Sequence, residues 1–235
     1  MGSKRYEQAA VLVDRKKVYP LAEAVAVLQE LPKTKFDETV ELSISLGIDA
    51  EKTDQAVRGT VVLPHGTGRA RRVLVFCKGE REIEAKQAGA DYIGSADLIE
   101  KIQGGWLDFD VAIATPDLMR DVSRLGKILG PRGMMPNPKA GTVTDDVARA
   151  VTEVKKGKVE FKMDKQANLH VVIGKRSFAP AQLMENANAV LTAIVRARPS
   201  AVKGRYVKRV GLSSTMSPGL FLETASLEAR REEDD

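Results

Sequence analysis

The sequence is poor in the residues from which most catalytic and metal sites are built. Its 235 residues include one cysteine and two histidines, His65 and His170. Neither histidine has cysteine or histidine neighbours at the spacing of a zinc site. Cys77 can form no internal disulfide, and it ends the apolar run Val73–Cys77, which is typical of a buried strand. The nucleophile-elbow and phosphate-loop motifs are missing too. We therefore expect that the protein is not an enzyme and that it has no catalytic residues, no metal and no cofactor.

Long apolar runs are also missing. No run approaches the roughly 20 residues that a membrane-spanning helix needs, and no cationic start followed by an apolar core marks a signal peptide. Aromatic residues make up only 5% of the chain, so its cores are predicted to be aliphatic. The simplest expectation is a cytoplasmic protein without a membrane partner; we also expect it to be monomeric when free, which these absences do not address.

Charge gives the first positive indication. Lysine and arginine outnumber aspartate and glutamate by 37 to 32, for a net charge of +5. An acidic tail over residues 229–235 follows Glu228, and we expect it to be disordered and directed away from any anionic ligand. The basic remainder favours an anionic partner such as nucleic acid. Ordinary solubility charge explains the composition equally well.

The hydrophobic pattern changes twice along the chain. Residues 39–46 alternate between apolar and polar, which predicts a strand with one wet face, and residues 57–63 resemble a neighbouring strand. A different pattern follows. Its buried strands at 73–77, 90–94 and 111–114 alternate with helices near 80–88 and 95–104, which is typical of a parallel sheet covered on both sides.

The alternating pattern then returns. Residues 159–163 and 169–173, joined by a turn at 164–168, predict a hairpin, followed by a helix at 180–197 and a last strand near 205–213. The predicted fold class is α/β. An α+β domain (1–66 and 158–228) is interrupted by a doubly wound insert (67–157), with a hinge at Gly66, Thr67, Gly68 and Gly157. Two sequential domains with a loop-rich border remain the alternative.

The most unusual segment runs from Gly130 to Thr142. It holds three prolines, three glycines and the cations Arg132 and Lys139, with Met134 and Met135 near its tip. Proline and glycine at this density exclude regular helix or sheet. A long, stiff loop within a compact domain is usually functional. We interpret this one as a candidate contact surface.

Several segments, in the same order along the chain, resemble the L-one family of bacterial large-subunit ribosomal proteins. The loop Gly130–Thr142 is the most specific of them, and together they cover roughly residues 4–220. The others are Lys35–Glu41, Leu46–Asp49, Asp54–Thr60, Leu63–Gly66, Ala88–Tyr92, Ala114–Asp117, Ile173–Lys175 and Ser214–Met216.

The resemblance implies a fold and a function. The first domain would be a split β-α-β unit built from both chain ends, and the second a Rossmann-like three-layer insert. The protein would bind large-subunit rRNA, form the mobile stalk near the exit site, contact the departing exit-site tRNA there and assist release of this deacylated tRNA. It would also repress translation by binding its own mRNA.

The resemblance also implies a set of contacts. Arg132 and Lys139 are expected at a tRNA or second RNA surface, and Lys4, Arg5, Lys208 and Arg209 at backbone phosphates. The residues expected to bind rRNA are Lys35, Phe36, Glu38, Thr39, His170, Lys175, Thr215, Met216 and Ser217. Without the resemblance, a simpler interpretation is that Phe36 packs at the edge of a core and that the hydroxyl residues lie on the surface of a strand.

Two positions depart from the family pattern. Ser217 stands where the family has glycine after Thr-Met, so the backbone would lie farther from a ribose, or the serine would offer its hydroxyl. Ala167 replaces a turn glycine, which predicts that Asn168 adopts the left-handed conformation instead.

Three other interpretations stay open at this point. One is a ligand-binding or enzymatic α/β protein that uses the insert, but no nucleophile–base pair or phosphate loop supports it. A second is a two-domain clamp on a protein, which would bind in a salt-tolerant way. The third, a small-ligand or metal site at Asp108, Asp110 and Asp117, competes with ordinary loop and capping roles for these residues.

Overall fold

The structure is a computed structural model that describes residues 3–50, 52–202 and 204–224. In chain order its helices and strands are α1 (Lys4–Leu12), β1 (Val18–Tyr19), α2 (Leu21–Glu30), β2 (Thr39–Leu46), β3 (Arg58–Val62), β4 (Val73–Phe76), α3 (Glu80–Gln87), β5 (Tyr92–Gly94), α4 (Ala96–Gln103), β6 (Val111–Ala114), α5 (Met119–Val122), α6 (Gly126–Leu129), α7 (Val147–Lys155), β7 (Lys158–Lys162), β8 (Asn168–Lys175), α8 (Pro180–Arg196), β9 (Val207–Ser214) and β10 (Leu220–Leu222). Short 3₁₀ turns lie at Thr53–Gln55, Pro116–Leu118, Ser123–Leu125 and Pro138–Ala140.

The chain forms two compact units. One, here called the sheet domain, runs to Gly68 and resumes at Val159; the other, the insert, is Arg69–Lys158. Helices and strands are mixed in both, and the prediction of an α/β protein is confirmed. The acidic tail predicted at 229–235 lies outside the described residues.

The sheet domain is built on a five-stranded sheet with the strand order β1-β10-β9-β2-β8. Only β1 and β10 pair in parallel; the other neighbours are antiparallel. Strand β2 alternates along its whole length between buried and half-buried residues, as its sequence predicts. Its buried side packs in one core with apolar residues of α2 and α8, such as Leu28 and Leu191. The sheet therefore has one covered face and one open face.

Strands β3 and β7 form a separate two-stranded sheet, and this corrects two expectations. Residues 57–63 do not neighbour 39–46, because β8 and β9 occupy both edges of β2. Residues 159–163 and 169–173 do not form a hairpin, since β7 pairs with β3 and β8 with β2. Gly59 of β3 lies against the ring of Phe161, where a Cβ would come within 2.6 Å of the ring. Only glycine permits so close an approach.

The insert has three layers around the parallel sheet β5-β4-β6. Helix α4 and the segment from α5 to α6 pack on one side, through residues such as Ile102 and Leu125. Helices α3 and α7 pack on the other, through residues such as Ala85 and Val151. Strand β4 is buried at every residue, as its unbroken apolar sequence predicts.

The turn between β7 and β8 corrects a third expectation. Ala167, and not Asn168, takes the left-handed conformation, with φ of 61°. Asp164 organises this turn, since its Oδ1 accepts hydrogen bonds from the backbone N–H groups of Gln166 and Asn168, both at 2.8 Å. These bonds lower the pKa of Asp164, with the Asn168 N–H as the largest cause. They fix the residues on both sides of position 167, so Ala167 must adopt the conformation that closes the turn.

The residues predicted to form a hinge lie at the ends of the two units. Gly66 and Gly68 have positive φ of 67° and 73°, and Gly157, after α7, has φ of 102°. Within the sheet domain the buried side chain of Asn186 bonds the backbone at both His65 and Gly66, at 3.1 and 3.0 Å. The hinge assignment stays a prediction.

Candidate nucleic-acid interface

Eight of the nine residues expected to bind rRNA lie at one end of the five-stranded sheet. Strand β2 begins there at Thr39, β8 ends there at Lys175, and β9 ends there at Ser214. Thr39 is opposite Lys175, and Val40 is opposite Ser214. The segments just before β2 and just after β9 are thereby brought together across more than 170 residues of sequence. We call this set the strand-end site: Lys35, Phe36, Glu38, Thr39, Lys175, Thr215, Met216 and Ser217.

A network of hydrogen bonds holds these segments together. The Thr215 N–H donates to the Thr39 carbonyl at 3.0 Å, and the Thr39 N–H donates to the Thr215 hydroxyl, also at 3.0 Å. Lys175 Nζ donates to the Thr39 hydroxyl at 2.8 Å. The ammonium group of Lys175 is therefore held over the start of β2 by a neutral oxygen, and its charge remains available to an anion.

Glu38 differs from the rest of the strand-end site because its side chain is buried, with the residue only 1% exposed. Its Oε2 lies 2.6 Å from the Arg176 guanidinium, and its Oε1 accepts the Met216 N–H at 3.1 Å. A carboxylate buried in this way is not presented to a ligand. We assign Glu38 the positioning of Met216, in place of the direct contact that the resemblance implies.

Arg176 is a residue that the sequence interpretation missed. Its guanidinium also donates to the carbonyls of Leu31 and, at 3.2 Å, of Pro32, so it ties the end of α2 to the strand-end site. Its N–H donates to the Glu38 carbonyl at 2.8 Å. Only the pairing of β2 with β8 places Arg176 beside Glu38; in the sequence they are 138 residues apart.

Two apolar side chains project from the strand-end site into solvent. Phe36 is 54% exposed and Met216 is 49% exposed. The Thr34 hydroxyl donates to the Phe36 carbonyl at 2.7 Å, and the backbone of Met216 is held by Glu38, so both side chains project from ordered backbone. An exposed ring and thioether beside the exposed Lys35 are suited to stacking on and packing against unpaired bases.

Ser217 closes a tight turn after β9. Its hydroxyl accepts the Ser214 N–H at 2.8 Å and lies 3.1 Å from the Pro218 carbonyl, while its own N–H donates to the Ser214 carbonyl at 3.1 Å. The hydroxyl is thus engaged in shaping the turn. Ser217 does not have positive φ, so the backbone here needs no glycine.

Arg5 of α1 reaches the same site. Its guanidinium donates to the Met216 carbonyl at 2.7 Å and to the Pro32 carbonyl at 3.3 Å. Arg5 therefore adds a positive charge next to Met216. Lys4, which precedes Arg5 in the sequence, is exposed. Lys208 and Arg209 are also exposed, but they lie at the opposite end of β9 from the strand-end site.

His170 is the one residue of the set that lies elsewhere. It is exposed in the middle of β8, opposite Ser43 of β2, and its Nδ1 lies 3.1 Å from the Ser43 hydroxyl. It therefore belongs to the open face of the sheet, five residues along β8 from Lys175.

The loop Gly130–Thr142 lies in the insert, and its two methionines correct part of its interpretation. Met134 and Met135 are half-buried against the insert core and anchor the loop. Asn137 and Thr142 brace it, since the Asn137 N–H donates to the Thr142 hydroxyl at 2.8 Å. Arg132 and Lys139 remain exposed.

The aspartates flanking β6 are engaged in ion pairs. Asp108 and Asp110 contact Arg72, Asp110 also contacts Arg69, and Asp117 contacts Arg81. The backbone N–H of Arg72 is the largest cause that lowers the pKa of Asp110. Across residues 3–50, 52–202 and 204–224, no cluster of histidine, cysteine and carboxylate side chains could hold a metal ion.

No helix within the described part of the chain is long and apolar enough to cross a membrane.

Comparison with known proteins gives a consistent result. The model of the ribosomal protein L1p/L10e family matches residues 28–218. Proteins named large ribosomal subunit protein uL1 are similar over 93% of this chain: 57% identical in Saccharopolyspora erythraea and 58% in Nocardia farcinica, in each case over 92% of the relative. The one from Thermobifida fusca is 56% identical over 93% of both chains.

Proposed function

The chain belongs to the ribosomal protein L1p/L10e family, and on that basis we propose that it is a structural constituent of the large ribosomal subunit that binds large-subunit rRNA directly. It would act in the cytoplasm, on the ribosome. Membership of a ribosomal protein family also agrees with the expectation that the chain is not an enzyme.

One observation carries the rRNA proposal: the strand-end site is assembled from three distant chain segments. The pairing of β2 with β8 and β9 places an exposed ring, an exposed thioether and two lysines at one end of the sheet, where hydrogen bonds join Thr39, Lys175 and Thr215. Folded RNA is recognised by shape, by 2′-hydroxyl contacts and by stacking on unpaired bases, which requires such a firm, mixed surface. The buried pair Glu38–Arg176 supplies the rigidity.

The direct test is binding of the full chain to the rRNA stalk segment across a salt series. With three cations near the site (Lys35, Lys175 and Arg5), affinity should fall about 20- to 40-fold between about 50 and about 200 mM salt. Lys175→Ala should lower the slope of log affinity against log salt by about 1. Lys101→Ala, on α4 of the insert, is the matched control and should leave the slope unchanged. Equal affinity for a scrambled RNA of the same length would contradict the proposal.

A second RNA surface is proposed on the insert, for the exit-site tRNA. Residues 120–139 hold five cations (Arg120, Arg124, Lys127, Arg132 and Lys139) and one acid, Asp121. All five cations are exposed, and none of them forms an ion pair with a described carboxylate. Replacing Arg132 and Lys139 together by alanine should weaken tRNA binding several-fold and leave rRNA affinity unchanged. If the double variant lost affinity for tRNA and rRNA equally, both RNAs would bind at one surface.

We also propose that the protein represses its own translation, by binding an rRNA-like site in its own mRNA at the strand-end site. The stalk rRNA segment should then displace the mRNA leader competitively, and Met216→Ala should weaken both complexes by the same factor. Simultaneous binding of the two RNAs would contradict a shared site.

A further inference from the structure

The open face of the five-stranded sheet carries a row of residues that crosses all five strands. Val18 pairs with Phe221, Phe221 with Gly211, Gly211 with Ser43, and Ser43 with His170. We call these five residues the open-face row. Val18 is 50% exposed and Phe221 is 43% exposed, at one side of the row, and the exposed His170 is at the other.

Gly211, at the centre of the row, is not required by the fold. A Cβ placed on it would meet nothing closer than the Ser43 carbonyl oxygen at 3.8 Å, and its φ is not positive. Two other glycines of the sheet domain are required, in contrast: a Cβ on Gly47 would come within 2.0 Å of the Arg205 carbonyl oxygen, and one on Gly59 within 2.6 Å of the Phe161 ring. A glycine in mid-strand weakens a sheet, and such positions often mark the close approach of a ligand.

We propose that the open-face row is a second contact surface for the same large-subunit RNA, with the sugar–phosphate backbone crossing β9 at Gly211 and a base packing against Phe221. This inference rests on the proposed rRNA function and extends its site. It adds contacts beyond the strand ends and gives His170, next to Ser43, a role in the same complex.

The charge of the face favours RNA as the occupant over a protein. Among the residues of β2, β8 and β9 there are three cations, Lys175, Lys208 and Arg209, and one acid, Glu41. Glu223, just after β10, is exposed and adds a second acid. After Phe221, the row consists of the Gly211 backbone, the Ser43 hydroxyl and the His170 imidazole. These groups are suited to contact ribose and phosphate.

The face is also continuous with the strand-end site. Ser43 lies four residues along β2 from Thr39, which is roughly 13 Å. One RNA segment can therefore leave the strand ends and cross the row without the protein changing shape.

The first test is Gly211→Val in the full chain. A β-branched residue favours a strand and has room here, so the midpoint of denaturant unfolding should be unchanged or higher. Affinity for the stalk rRNA segment should nevertheless fall about tenfold, because the side chain fills the path of the backbone. Phe221→Ala should weaken binding by a similar factor. Ile83→Ala, which alters an even more exposed apolar residue of the insert, should leave it unchanged.

A second readout does not depend on stability. Trp106, in the insert, is the chain's only tryptophan, so Phe221→Trp in a Trp106→Phe background places the sole indole on the row. Saturating rRNA should shift its emission and protect it from acrylamide quenching. Unchanged emission, together with wild-type rRNA affinity of Gly211→Val, would overturn this inference and leave the strand-end site standing. Absence of rRNA binding by the wild-type chain would instead overturn the proposed function itself.

Discussion

The sheet domain and the insert use their charged side chains differently. In the insert, six cations (Arg69, Arg72, Arg81, Arg149, Lys155 and Lys158) contact carboxylates of the insert itself, mostly at the surface. At the strand-end site, one ion pair is buried, the half-buried Lys175 donates to a hydroxyl and a carbonyl, and Lys35 is exposed. Surface pairs contribute little to stability, whereas a buried pair fixes geometry strongly. The comparison suggests that the insert pairs most cations around its sheet with its own carboxylates and leaves those of residues 120–139 unpaired, while the strand-end site combines one buried ion pair with lysines that remain available to a ligand.

The largest effect expected from a test of this difference between the two regions is that of replacing Glu38. Glu38→Gln leaves the Arg176 guanidinium buried without a counter-charge, which should cost about 3–5 kcal/mol of unfolding free energy. Because Glu38 also holds the Met216 N–H, rRNA affinity should fall as well. Denaturant unfolding followed by circular dichroism, with binding assayed under native conditions, measures both effects.

The matched control for Glu38 is Asp145 of the insert, whose carboxylate lies 2.7 Å from Arg81 with its side chain 68% exposed. Asp145→Asn should cost no more than about 1 kcal/mol. Similar losses for the two variants would show that the two regions do not differ in the way proposed.

A second prediction concerns binding. Thr215→Ala removes the hydroxyl that accepts the Thr39 N–H, and Met216→Ala removes an exposed thioether. Each should weaken the rRNA complex by about 1–3 kcal/mol, by analogy with packed RNA contacts. Titration calorimetry or filter binding measures this loss. Unchanged affinity in both variants would exclude the end of β9 from the interface.

Both predictions depend on features that the sequence reveals only in part. The alternation of 39–46 and the unbroken apolar runs of the insert predict β2, β4 and β6, because side-chain period follows burial. Strand pairing is not encoded in that period. The pattern of 57–63 suits any neighbouring strand, and its pairing with β7 depends on contacts distant in sequence, such as that of Gly59 with the Phe161 ring. The elements that were not predicted at all are helices α1, α2, α5, α6 and α7 and the short strands β1 and β10.

The candidate site shows the same division. Exposed positions such as Lys35, Phe36 and Met216 are assigned from the resemblance, and the structure brings them together. The burial of Glu38 could not be predicted, because a charged residue before a strand is usually solvated. Its partner Arg176 becomes a neighbour only through the β2–β8 register.

A third prediction concerns how the stability contributed by Asp110 of the insert depends on pH. Asp110 accepts the Arg72 N–H at 3.0 Å and pairs with Arg69 and Arg72, so its pKa is lowered. A lowered pKa in the folded state stabilises the protein above the ordinary aspartate pKa, and this contribution is lost as pH falls through the lowered value. Asp110→Asn should cost about 1–2 kcal/mol near neutral pH, and the difference from wild type should shrink below the ordinary aspartate pKa.

Trp106 fluorescence can report this effect in the insert, since Trp106 packs between Tyr92 and Phe109. Asp164→Asn in the sheet domain, at another aspartate with a lowered pKa, should leave the Trp106 transition unchanged. A pH-independent cost of Asp110→Asn would show that the ionised carboxylate is not what stabilises this corner of the insert.

The smallest expected effect is on stability, and it concerns the residues with left-handed backbone in the turns of the two regions. The insert loop has glycine at its left-handed positions, Gly133 and Gly141, whereas the turn between β7 and β8 of the sheet domain has Ala167 there. A left-handed alanine costs about 1 kcal/mol, which is partly offset in Ala167→Gly by the greater freedom of glycine in the unfolded chain. Ala167→Gly should therefore raise the unfolding free energy by about 0.5 kcal/mol. Asn168→Gly, one residue later in β8, should lower it by about 0.5–1 kcal/mol, because glycine weakens a strand. The opposite order in denaturant unfolding would place the left-handed residue at Asn168, as the sequence had suggested.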